Sequence, residues 1–528
     1  MTDRFDVIVV GAGHNGLVAA AYLAKAGRRV LVLERRDTVG GIAVTEELIP
    51  GYRFSTCADA VSSYLAPQIA DDLGLAACGL DTVDADPVLL SPQPDGTCLR
   101  IWRDDARTAA EIERYNANDA KSYTRFVDLM RSLTGVLREL LGVTPPDIPD
   151  VSGRDLISMR GLLGPLRRLG RKNVPELARA LPMPAADLLN EWFESGIIKG
   201  AVAASGVRAM TWGPREAGTA YLLLHRWACN DTGLFRSGAL IRGGAGKLTE
   251  ALAAAATKAG AEIRIGAPVA TIDQDRGQAT GVTLQSGESL GAGMVVSSAS
   301  PRTTFLELLD PTRMAASTMQ HVRNIKYRGS TARVHLALSG LPEFQGIAED
   351  DLLAGGHVQI APTMDYLQRA YDHVKYGAMS ERPYLDISVP SVVDAALAPA
   401  GHHTMSIAVQ YAPYHIAGGW GDDNRARLLE TVLTTLAEYA PGAPTSIIDS
   451  CVLTPTDLED RFDLPEGNLH HGEMTLDQLL FMRPIPGAAR YRTAVENVYL
   501  CGSGSHPGGV LTGLSGSNAA RQILSGRA

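Results

Sequence analysis

The chain opens on Phe5-Asp6-Val7-Ile8-Val9-Val10, a short and nearly unbroken apolar run rich in β-branched residues. That pattern predicts a strand buried on both faces of a parallel sheet. It runs into Gly11-Ala12-Gly13-His14-Asn15-Gly16, and a helix is predicted from Leu17 to Ala26, ended by Gly27 as a left-handed C-cap. A second strand, Arg29 to Leu33, leads to Glu34. The far end of the chain repeats the arrangement. Asn497 to Cys501 predicts a strand, Gly502-Ser503-Gly504-Ser505-His506-Pro507-Gly508-Gly509 a turn, and Leu511 to Leu524 a helix.

Between these ends the periodicity changes repeatedly. Residues 83–103 alternate as strands do, and 107–141 carry apolar residues at helical spacing until Thr144-Pro145-Pro146-Asp147-Ile148-Pro149 breaks them. Pro182-Met183-Pro184 precedes another helical stretch through Ala203, and 219–230 are strongly apolar around His225 and Arg226. Further on, a helix is expected over Leu248–Ala259, a strand over Glu262–Ile265, one hairpin over Val269–Gly287 with its turn at Ser286-Gly287, and a buried strand at Met294–Val296. Residues 331–338, 385–389 and 404–411 predict a second sheet, and 423–440 a helix. With 528 residues, the chain is too long for one simple core.

The first forty-one residues carry the clearest chemistry. Gly11 permits a tight turn, Gly13 lets the backbone approach a pyrophosphate, and Gly16 lets helix and strand pack closely. The diphosphate would rest on the free amides and positive dipole end of the helix. Glu34 stands at the distance needed to accept hydrogen bonds from an adenosine ribose. Strand, glycine loop, helix, strand and acid in that order predict a dinucleotide site, His14 and Asn15 included. The pair Gly40-Gly41 lets the chain return alongside an extended cofactor.

The segments E-R-R-x-x-x-G-G from Glu34, V-Y-L-C-G-S-G-S-H-P-G-G-V-L-T-G-L-S-G-S-N-A-A from Val498 and G-E-M-T-L-D-Q-L-L-F-M-R-P over 472–484 resemble the phytoene desaturase-like FAD oxidoreductases of the amine oxidase superfamily. That resemblance implies FAD rather than NAD. It also implies an α/β fold in which a Rossmann-type FAD domain, assembled from 1–75, 236–305 and 490–528, carries an inserted α+β substrate domain of 76–235 and 306–489, helical over about 107–203. Carried over, Arg35 and Gly41 would help hold the adenosine and diphosphate. Val269 would meet the adenine, Gly502 and Ser503 the diphosphate or ribityl chain, and Gly513 and Leu514 the flavin ring. The implied activity is dehydrogenation, saturation or isomerisation of an apolar unsaturated substrate, isoprenoid or carotenoid-like. Amine oxidation is the alternative, weakened because no Phe, Tyr or Trp follows Tyr499. A flavin-bearing interaction or regulatory protein is a third reading.

Composition narrows this picture. A net charge of −9 argues against nucleic acid as a general partner. Cys57, Cys78, Cys98, Cys229, Cys451 and Cys501 form no C-x-x-C and have no metal-ligand spacing with histidine, so neither a dithiol motif nor a metal site is expected. Arg242-Gly243-Gly244-Ala245-Gly246-Lys247-Leu248 is not a phosphate loop of the Walker type, because Leu248 replaces the hydroxyl that would hold magnesium. With one dinucleotide fingerprint, reoxidation by oxygen, a quinone or another diffusible acceptor is expected. Residues 154–172 interleave arginines with leucines and read either as a face resting on an anionic membrane or as a solvated helix. No leader or membrane span is evident, so a cytoplasmic enzyme is expected, with peripheral membrane contact and oligomerisation left open. Candidate polar groups for catalysis are His225, Arg226, His471, Arg483 and His506, with His470, Glu473 and Asp477 in the same stretches. Each is weighed against a structural role.

Overall fold

The computed structural model describes residues 4–59, 65–146, 163–229 and 239–526. Among these, one sheet has seven strands, and Phe5–Val10 lies in it between Val30–Leu33 and Ser289–Ser297, parallel to both. Val7 stands opposite Val30 on one side and Met294 on the other. Glu262–Arg264 extends the sheet beyond Val30–Leu33, and Val498–Leu500 pairs with the end of Ser289–Ser297. The unbroken apolar run of the first strand now has its reason. Val7 and Val9 pack under the helices His14–Lys25, Gly246–Lys258 and Leu514–Leu524, whereas Ile8 and Val10 face the opposite core.

The expected hairpin forms, Val269–Asp275 pairing antiparallel with Gln278–Leu284, and the first half of Ser289–Ser297 adds a third strand to make a meander. The chain reverses at Arg276-Gly277, both at positive φ, and again around Gly287. Arg276 in the left-handed region gave no sequence signal, since that conformation is uncommon for a residue with a Cβ.

The second sheet runs in the order Ile447–Leu453, Thr331–Leu338, His403–Gln410, Tyr384–Ser388, His357–Ile360, Leu89–Pro92, Cys98–Ile101. All neighbours are antiparallel except His357–Ile360 with Leu89–Pro92. Asp422–Tyr439 packs against the same core as its central strands. A helical layer over 105–141 and 163–228 forms its own core around Phe126 and the fully buried Trp227, whose rings meet edge-on at 5.9 Å. The helical stretch expected over 107–141 forms two helices, Asp105–Glu113 and Ala117–Leu141, and the Asn116 side chain caps the second by accepting from the Asn118 and Asp119 amides.

The hairpin Thr45–Ile49 and Tyr52–Ser55 leans on the second sheet, Phe54 packing beside Ala337. The glycine loop at 242–248 serves this hairpin, its Ala245 and Gly246 amides donating to Ser55 Oγ and Thr45 Oγ1 at 3.0 Å each. Of the basic stretch 154–172, residues 154–162 lie outside the described residues and 163–172 belong to helix Leu163–Ala180. Among the described residues, no helix is long and apolar enough to cross a membrane.

Candidate functional site

The carboxyl ends of the parallel strands open onto a cavity of about 240 Å³. Gly11, Gly13, His14 and Asn15 line it from the first loop, Glu34 and Arg35 from the second strand end, and Gly502 and Ser503 from the last. Such crevices outside the carboxyl ends of strands are where open α/β sheets bind ligands. Each glycine of the loop is glycine for a different reason. Gly11 has φ +92°, and a Cβ there would lie 2.5 Å from Ser298 Oγ, which donates to the Gly11 carbonyl at 3.0 Å. A Cβ on Gly16 would collide with that same carbonyl oxygen. Gly13 differs from both. Its φ of −70° suits any residue, and a Cβ on it would meet no protein atom within 4 Å. Nothing in the fold fills the space beside it, so the bare backbone is open to a ligand pressed against it.

That ligand has the character of a dinucleotide diphosphate. No side chain caps the start of helix His14–Lys25, so its first amides are available to an anion. His14 Nε2 and His471 Nδ1 are buried without hydrogen-bond partners, and both residues line the cavity. Buried polar atoms are seldom left bare unless a ligand or water completes them. Glu34 does more than face a ribose. It is 6% exposed, and its carboxylate accepts from the Ala12 amide at 2.8 Å and the Arg36 amide at 3.0 Å, bracing the loop. With about four lone-pair sites, it retains capacity for ribose hydroxyls.

The two ends of the chain meet at this cavity. Asn15 Nδ2 donates to Ser503 Oγ at 3.2 Å, and Asn15 Oδ1 accepts from the Gly516 amide at 3.3 Å. A Cβ on Gly516 would run into the Asn15 carbonyl, so the first and last helices touch backbone to backbone. Arg35, Gly41 and Val269 also line the cavity.

Three of the expected cofactor residues lie away from this cavity. Gly40 does not line the cavity; its amide donates to Ala12 O at 2.9 Å, and its φ of +130° turns the chain back under the loop. Gly513, at φ +68°, packs against Leu65, Ile69 and Val18 at the start of helix Leu514–Leu524. Leu514 lines a separate cavity, near Tyr22 and Arg138.

The catalytic candidates separate as well. His471 reaches the cavity at φ +54°, and burial, reinforced by Arg483, lowers its pKa to about 4. His14 is lowered to about 3 by burial and then by His471. Both rings are neutral near pH 7 and can each offer a nitrogen lone pair or an N–H. Arg483 is not placed to touch a substrate. Its guanidinium donates to the backbone carbonyls of His470 (2.6 Å), Gly472 (3.3 Å), Glu473 (3.0 Å), Gln478 (3.3 Å) and Ser503 (2.8 Å and 3.1 Å), consuming all its N–H groups. It positions the 470–483 segment against the last glycine turn, and burial lowers its pKa to about 10.

His225 lies behind that turn, where a Cβ on Gly509 would approach its Cε1 to 3.2 Å. His506 is buried against the carbonyls ending helix Ala117–Leu141. Burial lowers their pKa values to about 3 and about 4 respectively, and neither lines the cavity. Arg226 lines a smaller, adjoining cavity. Glu473 and Asp477 are paired with Arg328 and Lys326. Ser298, which braces Gly11 and lines the cavity, was missed; its position just beyond strand Ser289–Ser297 was the available signal.

A family model for the flavin containing amine oxidoreductases matches residues 16–524. The chain belongs to that family. It is an FAD-dependent oxidoreductase, and the cavity's bare Gly13 backbone, uncapped helix and brace of Glu34 suit the cofactor. The chain is 36% identical to pyridine nucleotide-disulfide oxidoreductase domain-containing protein 2 of Rattus norvegicus, over 99% of this chain and 94% of that one. It is 28% identical to a limonene dehydrogenase polypeptide of Castellaniella defragrans (98% and 94% covered) and 27% identical to a neurosporene-forming phytoene desaturase of Cereibacter sphaeroides (98% and 93%). Cyclohexylamine oxidase from Brevibacterium oxydans shares the fold, with a TM-score of 0.57 and 18% identity over 99% of this chain and all of that one. Disulfide chemistry has no support in the thiols. All six cysteines are free, and burial pushes Cys57, Cys98 and Cys229 up to about 12, far from a reactive thiolate.

Proposed function

We propose that this oxidoreductase transfers a hydride from a carbon–hydrogen bond beside unsaturation in a largely apolar substrate to FAD, that the neighbouring carbon loses a proton as the new double bond forms, and that oxygen or a quinone then takes the two electrons from the reduced flavin. Bound FAD supplies the two-electron chemistry, accepting hydride at N5. The chain's part is to hold the diphosphate over Gly13 and the first helix, to present neutral His14 and His471 as hydrogen-bonding groups, and to exclude water. The observation carrying this reading is the last glycine turn, which contributes Val510 and Leu511 and no aromatic ring to the wall of the adjoining cavity, an apolar edge beside charged residues and Tyr384. A dehydrogenase of limonene and a desaturase of phytoene among full-length relatives support it. Amine oxidation, supported by the family description, is the competing reading. Anaerobic mixing of the holoenzyme with polyenes, isoprenoids, quinols and amines, followed at the visible flavin band, tests the choice. Bleaching by isoprenoids or polyenes is expected; bleaching by amines alone would overturn it.

A further inference from the structure

Leu469 walls both the dinucleotide cavity and a second one of about 30 Å³. Asp59, Arg208, Arg226, Arg333 and Asp386 line this smaller space, so that among the described residues three guanidinium groups face two carboxylates. Arg208 pairs with both Asp59 and Asp386, and Arg333 Nη1 lies 2.6 Å from Asp59. Arg208, Arg333 and Asp386 are 8%, 4% and 4% exposed. Arg226 is the cation left over. Its hydrogen bond goes to the Arg208 backbone carbonyl, its Nε is buried without a partner, and no carboxylate among the described residues pairs with it. The histidines nearest it, His225 and His470, are held neutral by burial and by Arg226 itself.

A cavity built for a hydrocarbon alone would not gather five charged side chains, three of them buried, because desolvating ions is costly unless each finds a counter-ion. A cationic amine would meet a surplus of positive charge. The space takes about two water-sized groups, matching the two oxygens of a carboxylate, which a guanidinium binds through paired N–H donors. Val510 and Leu511 give the same wall an apolar edge. We propose that Arg226 anchors a carboxylate on the substrate, so that the compounds oxidised are unsaturated acids. This rests on the hydride-transfer reading above for the reaction, though not for the binding.

The holoenzyme, kept anaerobic, is titrated with geranic acid, its methyl ester, geraniol and geranylamine while the oxidised flavin spectrum is followed for binding. The acid should bind at least tenfold more tightly than the ester. Arg226→Gln should reduce that ratio to within twofold, and Arg226→Lys should keep part of it. Equal binding of acid and ester, tightest binding of the amine, no response to the acid, or an acid preference that survives in Arg226→Gln would overturn the proposal. If Arg226→Gln fails to fold, the acid-to-ester ratio of the unaltered protein decides alone. An Arg226-dependent acid preference without flavin bleaching keeps the anchor and removes the redox reading. Bleaching by neutral isoprenoids without acid preference does the reverse.

Discussion

Replacing Arg483 by Met should cost the protein its cofactor, because the residue is a clamp and not a reagent. The substitution preserves length and apolar bulk but strips donors from five buried carbonyls, those of His470, Gly472, Glu473, Gln478 and Ser503. Glu473 O keeps the Gln478 side-chain amide at 3.3 Å, leaving four exposed to the loss. A buried carbonyl left without a donor costs about 1–3 kcal/mol. Taking the low end, since backbone relaxation or water replaces some bonds, the total is about 4 kcal/mol, a large part of the roughly 5–15 kcal/mol that holds a typical protein folded. The melting temperature should fall by about 4 °C. Ser503, held at 2.8 Å by the guanidinium, would be free to drift from Asn15, and the last turn would no longer close the cavity. Arg483→Lys, with three donors on a point charge, should recover about half the loss. Bound FAD per polypeptide, read from the visible band after gel filtration, and the thermal transition provide the measurements. A Met variant that keeps full FAD and melts within about 2 °C of the parent would refute the clamp. Full FAD with abolished reduction would return Arg483 to the chemistry.

Two other expectations follow from the same geometry. Gly13→Leu should fold and melt as the cofactor-free parent does, because its Cβ meets no protein atom, yet retain no FAD; undiminished occupancy would mean the diphosphate lies elsewhere. Acid should also destabilise the protein early. Burial holds His14, His225 and His335 near 3, and His471 and His506 near 4, against about 6.5 when unfolded. As pH falls through 6.5, the unfolded chain binds protons that the native one refuses, so stability drops and levels off only below the folded values. By pH 5 each histidine contributes about 2 kcal/mol of loss. Circular dichroism melts should collapse between pH 6.5 and 5; a flat melting temperature across that interval would contradict the buried neutral rings.

The dinucleotide half of the site was legible because its chemistry is local. Strand, loop, helix and acid occupy thirty consecutive residues, and the steric demands of Gly11 and Gly16 are set by neighbours in that unit and by Ser298. Burial on both faces could likewise be read from Val7, Ile8, Val9 and Val10, since a strand without polar alternation has no face to give to water. The candidates His225, Arg483 and His506 carried no comparable information. A histidine or arginine has the same letter whether its ring faces a ligand or its donors are spent on carbonyls, and that depends on which backbone passes within about 3 Å of it.

The order of residues therefore determined the parallel core, the glycine loop and the cofactor class, each a consequence of spacing within one strand–helix–strand unit. Folding decided the rest. Asn15 met Gly516, Arg483 met Ser503, and Arg226 was left as the odd cation beside Asp59 and Asp386, because contacts between distant segments follow from how sheets and helices pack and not from periodicity along the chain.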